Sequence, residues 1–180
     1  QGEQSAITLR YSSPANEENY PGNLDIEVTY TLSDANELIL HYSAKTTEDT
    51  IVNLTNHSYF NLDGHFSDVK YQELIVNTNQ MLEATADNIP TGRFLEVENT
   101  DFDFLKAKKC PSVIDNTFVV TQKNEFAASL FNKNNNLKMN VYTEQPGVHI
   151  YVGGNCSNAI KGKENADYHS LSGICFETQN

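Results

Sequence analysis

The chain has 180 residues, 38% of them hydrophobic, and a formal net charge of −12 at pH 7. This size predicts one domain or a large piece of one. Nucleic acids and anionic membranes are bound mainly through Lys and Arg side chains, so the acidic balance disfavours both as partners and suits a neutral ligand. No apolar run approaches the roughly 18 residues that span a bilayer.

Strand patterns begin near the amino terminus. Residues 6–11 are a first candidate, and residues 24–32 alternate strictly between apolar and polar side chains. This period of two is typical of a strand with one buried face. Turn-forming residues follow at 33–36, and a second alternating run covers 38–42. The two runs predict a long β-hairpin.

Strand candidates also fill the rest of the chain, at residues 72–77, 94–97, 114–121, 148–152 and 174–178. A second hairpin is predicted from residues 126–131 and 137–143, joined by an Asn-rich turn. Only residues 78–87 have a pattern that permits a short helix. Many strands joined by Asn, Gly and Pro turns predict an all-β sandwich or barrel.

Three residues stand out as candidates for chemistry. His57 lies in NLTNHSYFNLDG (53–64), which is too polar for a core strand and too aromatic for an ordinary loop. In the strand that follows Pro146, alternation puts His149 on the face opposite Val148, where a cleft would lie. Glu177 shares a strand face with Cys175, and partial burial would make its carboxyl group a better base near neutral pH. From spacing alone, a Glu on an edge strand is the more common interpretation.

The remaining histidines and the cysteines indicate no metal centre. His41, His65 and His169 are interpreted as surface or structural histidines. Cys110, Cys156 and Cys175 are widely spaced, with no C-x-x-C pair, which predicts reduced thiols and no zinc cage. We therefore expect no metal and no cofactor. An odd number of unpaired cysteines favours the cytoplasm, and a secreted or periplasmic location stays open.

Six segments together resemble the aldose 1-epimerase (galactose mutarotase) family. Residues 55–62 (TNHSYFNL) are similar to its T-N-H-x-Y-F-N-L signature, and residues 173–179 (GICFETQ) to its C-L-E-x-Q segment. The other four matches occur in family order: YPG at 20–22, IPTG at 89–92 with DF at 103–104, DNTF at 115–118, and QPGVHIY at 145–151. The resemblance implies a large β-sandwich of the galactose mutarotase type, here as a single partial domain over residues 1–180 that lacks its N-terminal part and last strands.

The resemblance also implies roles for individual residues. His57 would be the general acid that protonates the sugar ring oxygen, and Glu177 the general base that takes the anomeric hydroxyl proton. The two groups are expected about a sugar-ring width apart. Asp115 and His149 would bind sugar hydroxyls, His149 standing where many relatives have Gln. Asn56 and Tyr59 are grouped with the binding residues, as residues that shape the loop carrying His57.

Two departures from the family pattern leave alternatives open. Asn116 stands where the family has His after the Asp, and the family's N-terminal sugar-binding His and Arg have no match. The expected partners are a small-molecule sugar and a further fragment of the same protein that completes the site. The alternatives to an aldohexose epimerase are a non-catalytic sugar-binding β-sandwich and a relative that acts on hexose phosphates.

Overall fold

A computed structural model describes residues 5–121, 125–153 and 156–180 of the chain. The chain divides into two compact units, Gln1–Leu54 and Thr55–Asn180. The described residues form antiparallel β-strands and three 3₁₀ helices of three residues each. The predicted all-β class is therefore confirmed, whereas a single domain over the whole chain stays a prediction.

The first unit is a three-stranded sheet in which neighbouring strands follow chain order. The second and third strands are the hairpin that alternation predicts, and the first covers the predicted strand at 6–11. In the connecting turn Asn36 adopts a left-handed backbone with φ of 60°, and its amide donates to the Ser33 carbonyl at 3.1 Å. The elements are β1 (Ser5–Ser13), a 3₁₀ helix (Glu17–Asn19), β2 (Leu24–Leu32) and β3 (Leu38–Thr46).

One face of this sheet is apolar along most of its length. Leu9 pairs with Val28, and Val28 pairs with Tyr42, so the three side chains point to the same side. Leu9 is 54% exposed. We call this the apolar face of the first unit. Its members are Ile7, Leu9, Tyr11, Ile26, Val28, Tyr30, Leu32, Leu38, Leu40 and Tyr42.

The second unit contains the remaining elements. They are β4 (Tyr59–Phe60), a 3₁₀ helix (Val69–Tyr71), β5 (Glu73–Val76), β6 (Gln80–Ala84), β7 (Pro90–Glu96), β8 (Lys108–Lys109), β9 (Ile114–Val119), β10 (Ala128–Asn132), β11 (Leu137–Val141), β12 (Gly147–Val152), β13 (Ser157–Lys161), a 3₁₀ helix (Lys163–Asn165), β14 (Asp167–His169) and β15 (Ile174–Gln179). The predicted strands and the second hairpin are present, with differences at their ends. The short strands β4, β8, β13 and β14 were not predicted.

Two sheets of the second unit share one hydrophobic core. The larger has the order β4-β15-β12-β9-β6-β7 and the smaller the order β11-β10-β5-β8, beside a separate β13-β14 pair. Buried side chains from both sheets pack in a single cluster, which explains the apolar alternation of the central strands. Its members include Leu74, Val76, Ala128 and Leu130 from the smaller sheet, and Met81, Phe118, Ile150 and Ile174 from the larger.

The prediction that residues 78–87 could form a short helix is wrong, because strand β6 occupies the centre of this segment. Met81 is buried in the core and pairs with Phe118 on one side and with Leu95 on the other. Asn88, at φ of 60°, then turns the chain into β7. The Gln-Met-Leu-Glu-Ala sequence has good helix propensity, but pairing on both sides and burial outweigh it.

Membrane-spanning helices are not found in the described part of the chain, where no helix has the necessary length and apolar character. Cys110 and Cys175 are buried, Cys156 is half-buried, and all three are free thiols. The three cysteines are therefore available as individual thiols.

Candidate acid–base site on the larger sheet

Four adjacent strands bring the candidate residues to one face of the larger sheet. Glu177 on β15 pairs with His149 on β12, which pairs with Thr117 on β9. Directly paired side chains point to the same side of a sheet. Two residues away along each strand, Cys175, Tyr151 and Asp115 form a parallel row that Tyr59 on β4 extends. The opposite face carries Val148 and other core residues, so the predicted orientation of His149 is confirmed.

His57 and Glu177 meet at this face. His57 Nε2 lies 3.4 Å from Glu177 Oε1. The His57 side chain is 51% exposed and belongs to no strand, whereas Glu177 is only 9% exposed. The pair thus combines an accessible imidazole with a carboxylate held in a β-ladder.

The distance between the pair differs from the sequence-based expectation. The family resemblance predicts an acid and a base about a sugar-ring width apart, but here His57 and Glu177 are close enough to contact each other. Of the two residues, Glu177 lies on a paired strand, and His57 lies outside any strand.

β15 is an interior strand of the larger sheet, but Glu177 lies in the part of it that pairs on one side only, with His149 on β12. β15 lies between β4 and β12 in the larger sheet. β4 covers only the start of β15, where it pairs with Ile174 and Cys175. The Glu177 side chain is nevertheless largely removed from water, as its position beside Cys175 predicts.

Cys175 and Tyr59 surround the imidazole of His57. Cys175 Sγ lies 3.3 Å from His57 Nδ1, and the Tyr59 and His57 ring centroids are 5.3 Å apart. Burial raises the pKa of the Cys175 thiol to about 12, and burial also raises the pKa of Tyr59 to about 12. Both groups are therefore protonated at neutral pH. The sulfur also brings a third donor atom close to His57 and Glu177.

Asp115 and His149 form a hydrogen-bonded chain beside the pair. His149 Nε2 lies 2.8 Å from Asp115 Oδ1, and Thr117 Oγ1 lies 2.8 Å from His149 Nδ1. The carboxylate accepts from Nε2–H, so in the neutral ring the Thr117 hydroxyl donates to Nδ1. Asn88 Nδ2 donates to the second carboxylate oxygen of Asp115 at 3.1 Å. The imidazole is thus held through both nitrogens.

Asn56 and Gly173 shape the surroundings of His57. Asn56 Oδ1 accepts a hydrogen bond from the Ser58 amide at 3.1 Å, a turn that encloses His57. A Cβ atom at Gly173 would lie 2.9 Å from the Tyr59 Cβ atom, so only glycine permits this approach of β4 to β15. These contacts agree with the predicted loop-shaping role of Asn56 and Tyr59.

The other three histidines lie on or beside other elements of the chain. His41 is exposed on β3, His65 Nε2 lies 3.3 Å from Glu164, and His169 Nε2 lies 2.7 Å from Asp68 Oδ1. Their structural or surface interpretation is consistent with these positions.

Sequence reasoning missed three neighbours of the site: Thr117, Cys175 as a contact of His57, and Asn88. Alternation along β9 places Thr117 on the same face as Asp115, so one local indication existed. The contacts of Cys175 and Asn88 depend on pairing between distant segments and have no local pattern.

Comparison with known proteins identifies the family of the chain. The family model of aldose 1-epimerase matches residues 1–180. The chain is 38% identical to galactose mutarotase from Sus scrofa, over 98% of this chain and 54% of that protein. It is 40% identical to galactose mutarotase from Mus musculus, over 93% of this chain and 52% of that protein. The crystal structure of galactose 1-epimerase from Lactobacillus acidophilus superposes with a TM-score of 0.86 at 26% identity, covering 99% of this chain and 55% of that one.

The chain thus spans about half the length of the curated relatives that it matches. Both the family match and the identities extend over nearly all of its residues. The chain therefore belongs to the aldose 1-epimerase family.

Proposed function

We propose that the protein interconverts the α and β anomers of an aldohexose such as galactose or glucose, with His57 as general acid and Glu177 as general base. The observation that carries the proposal is the 3.4 Å approach of His57 Nε2 to Glu177 Oε1 on the face of the larger sheet opposite the core. Family membership supports the same activity. A proton donor and a proton acceptor facing each other are the groups that anomer exchange requires.

The reaction proceeds by two coupled proton transfers. Glu177 takes the proton of the anomeric hydroxyl while His57 Nε2 gives a proton to the ring oxygen. The bond between C1 and the ring oxygen breaks, and an open-chain aldehyde forms. Rotation about the C1–C2 bond presents the other carbonyl face, and the reverse transfers close the ring. Each positioned group of this kind contributes about 10²–10⁴-fold in rate.

The sugar enters by displacing His57 from Glu177. Their separation of 3.4 Å exceeds the 2.7–2.9 Å that is typical of a charge-assisted hydrogen bond. His57 is half exposed, so its side chain has room to rotate outward. Glu177 stays in place through the pairing of β15 with β12.

Asp115 and His149 are the proposed contacts for sugar hydroxyls. Each is held by a neighbouring polar side chain, Asn88 or Thr117, and both side chains retain partial exposure. Polar groups that are already oriented lose little entropy when a ligand binds. Asn56 and Tyr59 act indirectly, through the position of His57.

An uncharged sugar fits the described residues better than a hexose phosphate. Phosphate recognition relies on clustered Arg and Lys side chains, among which Arg can form two parallel hydrogen bonds to one phosphate. Both arginines of the chain are already paired with glutamates, Arg10 with Glu27 at 2.7 Å and Arg93 with Glu83 at 2.6 Å. This pairing favours the neutral substrate.

We propose that the apolar face of the first unit is covered by a further segment of an aldose 1-epimerase, within the same polypeptide or on a second one. The curated relatives are about twice as long as the matched chain. The face runs along all three strands, and Ile7, Leu9 and Leu32 are each more than half exposed. Burial of such side chains contributes about 25 cal/mol per Å², so cover by protein is favourable.

The test of the activity is polarimetry on freshly dissolved α-galactose and α-glucose. The proposal expects faster equilibration that is lost in His57→Ala and Glu177→Ala and is kept in the exposed-surface control Glu98→Gln. Sugar binding measured by calorimetry without faster equilibration would support the non-catalytic alternative. Faster equilibration that survives both active-site substitutions would overturn the roles assigned here.

A further inference from the structure

Three different kinds of metal-ligand atom lie close together where His57, Cys175 and Glu177 meet. One ligand atom from each, a ring nitrogen, the thiol sulfur and a carboxylate oxygen, lie within 4.8 Å of one another. Two contacts within the cluster are shorter, 3.3 Å from Cys175 Sγ to His57 Nδ1 and 3.4 Å from Glu177 Oε1 to His57 Nε2, and they use different nitrogens of the same imidazole. The proton-transfer chemistry does not require the sulfur, although Cys175 is part of the segment that resembles the family's C-L-E-x-Q.

We propose that this cluster is a binding site for Zn²⁺, and that zinc acts there as an inhibitor rather than a cofactor. Zinc is bound in proteins by Cys sulfur at about 2.3 Å, His nitrogen at about 2.0–2.1 Å and carboxylate oxygen at about 2.0–2.2 Å. Tetrahedral coordination at these lengths places the ligand atoms roughly 3.3–3.8 Å apart. The distance of 3.3 Å between Cys175 Sγ and His57 Nδ1 lies at the lower end of this range. The limit of 4.8 Å on the spacing of the three ligand atoms exceeds its upper end by about 1 Å.

Small movements complete the site. An imidazole ligates zinc through a single nitrogen, whereas His57 now turns one nitrogen to the sulfur and the other to the carboxylate. Rotation of its half-exposed side chain brings one nitrogen within reach of both partners. Cys175 and Glu177 are buried on one strand, and their side chains emerge on the same face. The two buried donors are therefore already oriented.

The donor set selects the metal. Magnesium and calcium prefer oxygen ligands, and a thiolate with an imidazole favours zinc or a similar transition metal. Zinc binding replaces the proton of the Cys175 thiol: the S–H bond breaks, a Zn–S bond forms and the proton passes to solvent. Three protein ligands leave the fourth position to water.

Occupancy would remove both proton-transfer groups at once. With His57 and Glu177 bound to zinc, neither can exchange a proton with a sugar. This consequence rests on the proposed function, whereas zinc binding itself does not.

The test measures metal binding on the intact, metal-free protein. Zn²⁺ is titrated in competition with a chromogenic chelator, and Co²⁺ is added separately as a spectroscopic probe. The proposal expects one tight Zn²⁺ per chain and a thiolate-to-cobalt charge-transfer band in the near ultraviolet. Cys175→Ser should abolish the band and weaken zinc binding at least about 100-fold, since even outer-shell changes cost 10–100-fold.

Further variants separate ligand loss from misfolding. His57→Asn changes a half-exposed side chain and should weaken zinc similarly. Cys110→Ala and His41→Asn alter a buried cysteine and an exposed histidine outside the cluster, and should keep wild-type affinity. Cys156→Ser should keep the cobalt band, although Cys156 is close enough to Cys175 to raise the pKa of that thiol.

Several results would overturn the site: no tight zinc, unchanged affinity in Cys175→Ser and His57→Asn, or loss of the cobalt band in Cys156→Ser alone. Polarimetry with and without Zn²⁺ then separates the two proposals. Zinc binding to a protein that never accelerates anomer exchange would contradict the function and leave the metal site intact. A protein that accelerates anomer exchange but binds no zinc would contradict the metal site and leave the proposed function intact.

Discussion

His149 on β12 and Glu177 on β15 are direct cross-strand partners. Such partners have Cβ atoms about 4.5–5.5 Å apart and side chains on one face. The proposed base and a proposed sugar contact are therefore spaced by the hydrogen-bond ladder itself. The proposed acid, His57, comes from residues outside any strand. One half of the proton-transfer pair is thus built on the sheet, and the other half is free to move aside for a ligand.

Thr117→Val should weaken sugar binding without removing catalysis. The substitution keeps the shape of the side chain but deletes the hydroxyl at 2.8 Å from His149 Nδ1, so the imidazole loses one of its two supports. A hydrogen bond of this kind contributes about 0.5–1.5 kcal/mol, which corresponds to a rise in KM of about 2–10-fold. Steady-state polarimetry should show kcat nearly unchanged.

Thr117→Ser is the matched control, because it keeps the hydroxyl and should retain a KM near that of the wild type. A loss confined to kcat, or an equal loss in the Ser and Val variants, would contradict the positioning role of Thr117.

Local patterns predicted which side chains share a face of each strand. Contacts between segments that are distant in sequence could not be predicted from these patterns. Alternation at residues 148–152 was enough to separate His149 from the core. The contact of His57 with Cys175 joins residues 118 positions apart, and no local pattern encodes it. The family resemblance predicted that His57 and Glu177 act together as acid and base, but it did not predict that the two side chains contact each other.

Strand β6 shows why propensity fails where burial competes. Its residues favour a helix when considered alone. Met81 instead occupies the core between Phe118 and Leu95, and these partners lie in segments that a local window does not include. Pairing on both sides then determines the conformation.

Gly173→Ala should destabilise the protein and disturb His57. The new methyl group would lie 2.9 Å from Tyr59 Cβ and 3.3 Å from the Phe60 carbonyl oxygen, so β4 must shift. Overpacking of this kind costs about 1–3 kcal/mol in the free energy of unfolding. Because the Tyr59 and His57 rings are neighbours, the rate of anomer exchange should fall as well.

Urea unfolding and polarimetry measure the two effects of Gly173→Ala. Ser170→Ala, at an exposed position of the same turn, should change neither. A Gly173→Ala variant with the wild-type free energy of unfolding would contradict this prediction, because it would show that β4 shifts without loss of stability.

Leu9→Lys should prevent association of the apolar face of the first unit with its proposed covering segment. Leu9 pairs with Val28 at the centre of that face, and a buried lysine would carry an uncompensated charge. Ala6→Lys introduces the same charge on the opposite face of β1 and should be tolerated.

The association prediction is measured by co-expressing the chain with the amino-terminal half of a curated relative and determining the mass of the purified species. Leu9→Lys should reduce the yield of the complex, and Ala6→Lys should not. Equal yields for the two variants would show that this face is not the contact.

Asp68→Asn should reduce the acid sensitivity of folding. Asp68 Oδ2 lies 2.7 Å from Lys70 Nζ, and Asp68 Oδ1 lies 2.7 Å from His169 Nε2. Hydrogen bonds from Lys70 and then from His169 lower the pKa of Asp68 below its usual range. A carboxyl group with a lowered folded-state pKa stabilises the protein above its unfolded pKa of about 3.9, and that stability is lost as the pH falls through the folded value.

The measurement is the free energy of unfolding in urea at pH 7 and at successive values below pH 4. The wild type should lose more stability over this interval than Asp68→Asn, which lacks the titrating group. Asp101→Asn, a change on an exposed turn, should follow the wild-type profile. Because a lowered pKa can only stabilise the fold when the group is ionised, a wild type that gained stability on acidification relative to Asp68→Asn would contradict the assignment.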